Sequence, residues 1–144
     1  MRYFLPALLL FVLVSCGKDK FNTVPTLKYE TVNTRVLANG QVIRFSLSFT
    51  DKEGDVQDSI FVQKVPLNCA ASTFTEILPI PVFPTQANQK GEIEVSYGYN
   101  VPNFPFIQVP QCPRNDTCFF RFMLKDKAQN RSDTVNSDII VIIR

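Results

Sequence analysis

The chain has 144 residues, with 15 basic and 13 acidic side chains for a formal net charge of +2, 13 phenylalanines, 10 prolines and no histidine. So small and unclustered a charge argues against nucleic acid as a partner, because phosphate binding needs a concentrated basic surface. The missing histidine excludes Ser-His-Asp and Cys-His catalysis. The length suits one domain of ordinary size with a real core, and no internal repeat or low-complexity tract divides it.

Residues 5–14, LPALLLFVLV, form an apolar run behind a single basic residue, Arg2. The run is shorter than the roughly 20 apolar residues that a helix needs to cross a bilayer. Its basic start, apolar middle and small residue at the end predict a cleaved secretion signal that takes no part in the fold. It closes on Leu13-Val14-Ser15-Cys16, which resembles the bacterial lipobox. That resemblance implies cleavage before Cys16, a diacylglyceryl thioether on its sulfur, and a lipoprotein held by palmitate-class acyl chains. One chain binds a membrane only marginally, whereas two anchor it stably. Gly17 is not the aspartate that retains enterobacterial lipoproteins in the inner membrane, and Lys18-Asp19-Lys20 resembles the short charged tags of surface lipoproteins. The resemblance thus implies an outer-membrane anchor, on the periplasmic face or the cell surface. Residues 1–15 are expected to be signal peptide, 16–25 a lipidated tether and 26–144 the folded domain.

Alternation takes over after the tether. In QVIRFSLSFTD, Ile43, Phe45, Leu47 and Phe49 alternate with Arg44, Ser46 and Ser48, the period of a half-buried strand. GEIEVSYGY repeats the pattern, with Ile93, Val95, Tyr97 and Tyr99 set against Glu92, Glu94, Ser96 and Gly98. Further strands are expected at 27–32, 58–65, 74–78, 119–125 and 134–143. About seven antiparallel strands in roughly 120 residues, without helical periodicity, predict an all-β fold of the immunoglobulin-like β-sandwich type.

Two turns sharpen this expectation: Asp51-Lys52-Glu53-Gly54-Asp55 after an early strand, and Asp126-Lys127-Ala128-Gln129-Asn130 before the last. Together they resemble the turns of bacterial immunoglobulin-like and cadherin-like envelope domains, over roughly residues 26–144. Gln129 stands where those domains carry glycine, so Asn130 is expected to adopt the left-handed conformation instead.

The same turns supply candidate calcium ligands. Asp51, Glu53, Asp55 and Asp58 place carboxylates at alternating positions of a flexible loop, and calcium collects six to eight oxygens. Immunoglobulin strand order puts both turns at one end of the sandwich, where Asp126, with Asn130 or Asp133, would complete the set. The competing reading needs no cofactor, since Asp and Asn also cap tight turns by bonding their own backbone.

Beyond Cys16 the cysteines are Cys69, Cys112 and Cys118. CPRNDTC sets Cys112 and Cys118 across a short loop, and a bridge between these two is the first expectation in a compartment that permits disulfides. Pairing of Cys69 with either one is the alternative. Without histidine, three cysteines leave zinc short of its usual fourth ligand.

Prolines crowd LPIPVFPTQANQKGE and YNVPNFPFIQVPQCP, which therefore read as sheet edges or loops. Phe83, Phe104 and Phe106 form a candidate binding patch if they project, and join the core if they fold back. Glu92 and Glu94 read as a solvated pair rather than glycosidase carboxylates. The expected function is a non-catalytic, lipid-anchored binding or assembly module with a protein partner. The alternatives are a hydrolase inhibitor working through a Pro-rich loop, and a glycan-binding accessory to polysaccharide uptake.

Overall fold

Within residues 42–51 every second side chain is buried, from Ile43 through Phe45, Leu47 and Phe49 to Asp51. This alternation makes one face of the strand core and the other face solvent. The computed structural model describes residues 22–144, so the leader and Cys16 lie outside the described residues. The strands are β1 (Thr26–Val32), β2 (Val36–Leu37), β3 (Val42–Asp51), β4 (Ser59–Pro66), β5 (Phe74–Pro79), β6 (Gln89–Gly98), β7 (Asp116–Lys125), β8 (Val135–Asn136) and β9 (Ile140–Ile142). A turn of 3-10 helix at Ala70–Ser72 lies between β4 and β5.

They form two sheets, β1-β3-β6 and β2-β9-β7-β4-β5, with β8 paired to β7. All pairings are antiparallel except that of β2 with β9. The order is that of an immunoglobulin-like β-sandwich, an A-B-E sheet facing a G-F-C sheet, as the sequence predicts. The core between them is aromatic. The Phe45 ring lies 4.7 Å from Phe120 and 5.2 Å from Phe122, and Phe74 and Tyr97 close against Phe120. Burying each such ring contributes roughly 2 kcal/mol relative to leaving it in water.

Three expectations are corrected. The last strand, expected unbroken over 134–143, is split at Ser137. There the backbone N–H donates to Phe120 O at 2.8 Å while the side-chain oxygen accepts from Phe120 N at 2.9 Å, displacing the regular ladder. The left-handed residue of the second turn is Gln129 itself, at φ 72°, rather than Asn130, because Asn130 is occupied in bonding Asp126. Finally, the disulfide joins Cys69 to Cys112 with Cα atoms 5.9 Å apart, and Cys118 is free and buried. β7 starts at Asp116, earlier than the expected 119, so Cys118 is already a strand residue pointing into the core, and the loop cysteine Cys112 meets the 3-10 turn instead.

Candidate functional site

Two loops meet at one end of the sandwich: residues 52–58 carry the chain from one sheet to the other, and residues 126–134 join β7 to β8 within the second sheet. Lys127 ties the loops together: its N–H donates to Asp55 O at 2.9 Å and its Nζ to Gln57 Oε1 at 3.2 Å. Asp51, the last residue of β3, turns inward and caps the first loop, its Oδ2 accepting from the N–H groups of Gly54 at 2.5 Å and Asp55 at 3.0 Å. Gly54 is required there. Its φ is +73°, and a Cβ would stand 2.1 Å from Gln86 O. Asp126 caps the second loop, with Oδ1 accepting from Asn130 N at 2.7 Å and Oδ2 from Asn130 Nδ2 at 2.9 Å.

Both capping aspartates are fully buried, and with Asp55 they converge so that one carboxylate oxygen of each lies within 4.8 Å of the others. Burial pushes the Asp51 carboxyl above its ordinary range; the N–H groups of Asp55 and Gly54 pull it down, and the charges of Asp55 and Glu53 add to the rise. Repulsion at this range is on the order of 3 kcal/mol per pair at an effective dielectric of 20, comparable with what two N–H bonds to a carboxylate return. Capping therefore leaves the cluster under electrostatic tension.

Of the five expected calcium ligands, Asp51, Asp55 and Asp126 are thus brought together. Glu53 is exposed and outside the cluster, and Asp58 pairs with Lys125 Nζ at 3.5 Å. The expected aromatic patch is likewise divided. Phe83 packs on the core beside Phe49, and Phe104 lies under the Arg44 guanidinium, 5.6 Å from its ring centroid. Only Phe106 of the three projects, at 71% exposure, in company with Val82 at 85%. A groove of about 510 Å³ opens between β5 and β6, with buried Phe49, Ile60 and Val95 in its lining together with Pro79, Pro81 and Pro105. β5 and β6 are each the outermost strand of their sheet on this side.

No family model matches the chain, and no curated protein matches it. Among solved structures it is similar to the sporulation control protein Spo0M of Bacillus subtilis, at 7% identity and a TM-score of 0.46 over 84% of this chain and 50% of that one. It is similar also to the alkylpurine DNA glycosylase AlkC of Pseudomonas fluorescens, bound to DNA containing an abasic site analog. The identity is 7% and the TM-score 0.50, over 85% of this chain and 31% of that one. A Niemann-Pick type C2 protein from Japanese carpenter ant aligns at 11% identity and a TM-score of 0.44, over 88% and 96%. The chain spans about half the Spo0M chain and less than a third of the AlkC chain. The AlkC likeness is one of fold alone.

Two buried polar features escaped sequence reasoning. Lys64 of β4 and Asp116 of β7 are both wholly buried and meet at 2.5 Å, Nζ to Oδ2, in a contact of charges rather than an aligned hydrogen bond. Lys64 Nζ also donates to Gln108 O at 3.1 Å. The signal was present: Lys64 occupies the inward position of the alternation Ile60, Val62, Lys64. The second is Gln89, paired across strands with Asp51, visible only once the β3–β6 register is known.

Proposed function

We propose that the chain is a lipid-anchored module of the outer envelope that binds or assembles with a protein partner and carries out no catalysis. The observation that carries this reading is the apolar groove between the edges of β5 and β6. Pro79 and Pro81 remove donors on the β5 side, so an extended partner segment would add its backbone bonds to β6 and set side chains into the groove. The Leu13-Val14-Ser15-Cys16 motif supports the anchor, and the short lead-in to β1 would hold the domain close to the membrane.

The test is capture from native membranes. A full chain tagged at its C-terminus and cross-linked in place should bring down one envelope protein in stoichiometric amount. Val82→Asp with Phe106→Asp, both at exposed positions on loops bordering the groove, should lose it without unfolding the domain. Recovery of the chain alone would overturn the partner reading. Separately, Cys16→Ser should leave the membrane fraction, and a variant that still pellets with membranes would overturn the anchor.

A further inference from the structure

We infer that the acidic end is a binding site for a hard divalent cation of the calcium class, held by the carboxylates of Asp51, Asp55 and Asp126. Clustered acids do not make a site by themselves. The deciding observation is a pair of buried oxygens that nothing satisfies. Asp51 Oδ1 accepts no hydrogen bond although Asp51 is 0% exposed, and Gln89 Oε1 accepts none although Gln89 is only 9% exposed. The two residues face each other across β3 and β6. Gln89 Oε1 lies beside Gly54, 2.8 Å from where a Cβ would stand, and the Gly54 N–H holds the other oxygen of Asp51. Buried acceptors are almost always partnered. Asp116, whose oxygens also accept no hydrogen bond, has the Lys64 ammonium as countercharge, whereas Asp51 Oδ1 and Gln89 Oε1 have no cation beside them among the described residues and mark a missing donor or ion.

The protein offers no cation of its own among the described residues. Their ion pairs engage Asp138, Glu94, Asp116 and Asp58 and none of the cluster. Lys127, the residue after Asp126, turns its ammonium to Gln57. The donors are all oxygens, which selects a hard cation; the free thiol, Cys118, lies well along β7 from Asp126. Coordination habit selects further. The cluster's oxygens lie within 4.8 Å of one another, a span that one ion can bridge. Calcium accepts irregular shells of six to eight oxygens, as a set drawn from a strand end and two loops would supply with water, whereas magnesium demands a near-ideal octahedron.

An occupied site would also fasten the lead-in to the domain. Lys52 N donates to Asn22 O at 3.2 Å and Asn130 Nδ2 to Thr23 O at 3.4 Å, so the segment before β1 is bonded to both loops that carry the ligands. The site rests on this geometry; only the consequence, a stiffened exit from a lipid anchor, rests on the reading proposed above.

The test uses the full chain in detergent, stripped with EDTA and titrated with calcium chloride. Binding is expected with a Kd on the order of 0.1 to 1 mM, and at about 5 mM calcium Tm should rise by roughly 5 °C. Magnesium at the same concentration should shift it far less. Hydrogen exchange should slow in residues 51–58 and 126–133 and stay unchanged around the Cys69–Cys112 bridge. Asp126→Asn should abolish the response, and Asp55→Asn, at a less buried position, provides the same test should Asp126→Asn fail to fold. The proposal is overturned by the absence of binding heat and of a Tm shift at 5 mM calcium, by an equal effect of magnesium, or by a full response in Asp55→Asn. Membrane partition of Cys16→Ser reads the anchor independently of all these outcomes.

Discussion

β7 has a buried aspartate at each end: Asp116 opens the strand and Asp126 follows its last residue, ten positions and roughly 30 Å of strand further on. At the first end the protein supplies the countercharge itself, laying Lys64 across the core onto Asp116. The loop above is then pinned by Lys64 to Gln108 and by the Cys69–Cys112 bridge. At the other end three carboxylates converge with no such partner among the described residues. Equal burial of the same residue type has been met in one place by an internal countercharge, though Asp116 Oδ1 accepts no hydrogen bond, and in the other by an arrangement that invites an ion from outside. Stability lies at the first end and responsiveness at the second.

The contrast breaks most sharply at Lys64. Lys64→Met leaves Asp116 buried and uncompensated, and should cost about 3–5 kcal/mol in urea unfolding. Lys64→Met with Asp116→Leu should recover most of that loss, because a buried ion pair is worth little more than well-packed apolar groups of its size. Equal loss in the single and double variants would show that packing of the lysine stem, not charge pairing, closes this end. Next in size is the disulfide. Cys69→Ala with Cys112→Ala opens a loop of sequence separation 43, for which chain entropy gives up to roughly 4 kcal/mol. Both variants should keep the calcium response, since that belongs to the far end.

How much of this was legible beforehand follows from which forces are local. Period-two alternation in residues 43–49 and 93–99 is local, so the strands and the all-β class can be read directly, while the meeting of the two acidic turns follows only from assigning the strands in immunoglobulin order. β2 cannot be read directly, because two residues carry no period and Val36–Leu37 is defined only by lying against β9. The Cys112–Cys118 expectation fails because proximity in sequence is not proximity in space: β7 turns Cys118 into the core. Lys64 is legible in the same way, since a lysine at the inward step of a strand announces a buried partner. Gln89 is not, since its place beside Asp51 depends on the register of a long-range pair.

A smaller effect, on the compensated side, comes from pH. Burial pushes the Cys118 thiol up to about 12, with Lys64 pulling it down and Asp116 raising it. Above about pH 9 the unfolded chain releases this proton while the folded chain keeps it, so stability should fall between pH 9 and 12 by roughly 1 kcal/mol per pH unit. Tyr97, raised by burial and then by the charge of Glu76, should steepen the fall above pH 10. Cys118→Ala should flatten the first part of the curve in thermal unfolding, and an unchanged slope would remove the thiol as its source.

The smallest effect separates the two ends most cleanly, because it reverses sign. Asp116→Asn strands Lys64 without its charge and must destabilise the protein. Asp51→Asn, chemically the same substitution, relieves repulsion from Asp55 and Glu53 and keeps an oxygen to accept from Gly54 and Asp55. Without calcium it should therefore be neutral or stabilising, by on the order of 1 kcal/mol. With calcium the ranking should invert, since the wild type gains a ligand that the variant holds poorly. Urea titrations of both variants, each with EDTA and with calcium, decide the matter. Asp51→Asn losing stability in EDTA as Asp116→Asn does would mean that the acidic end is a capped turn complete in itself, and that the two ends of β7 differ less than their charges suggest.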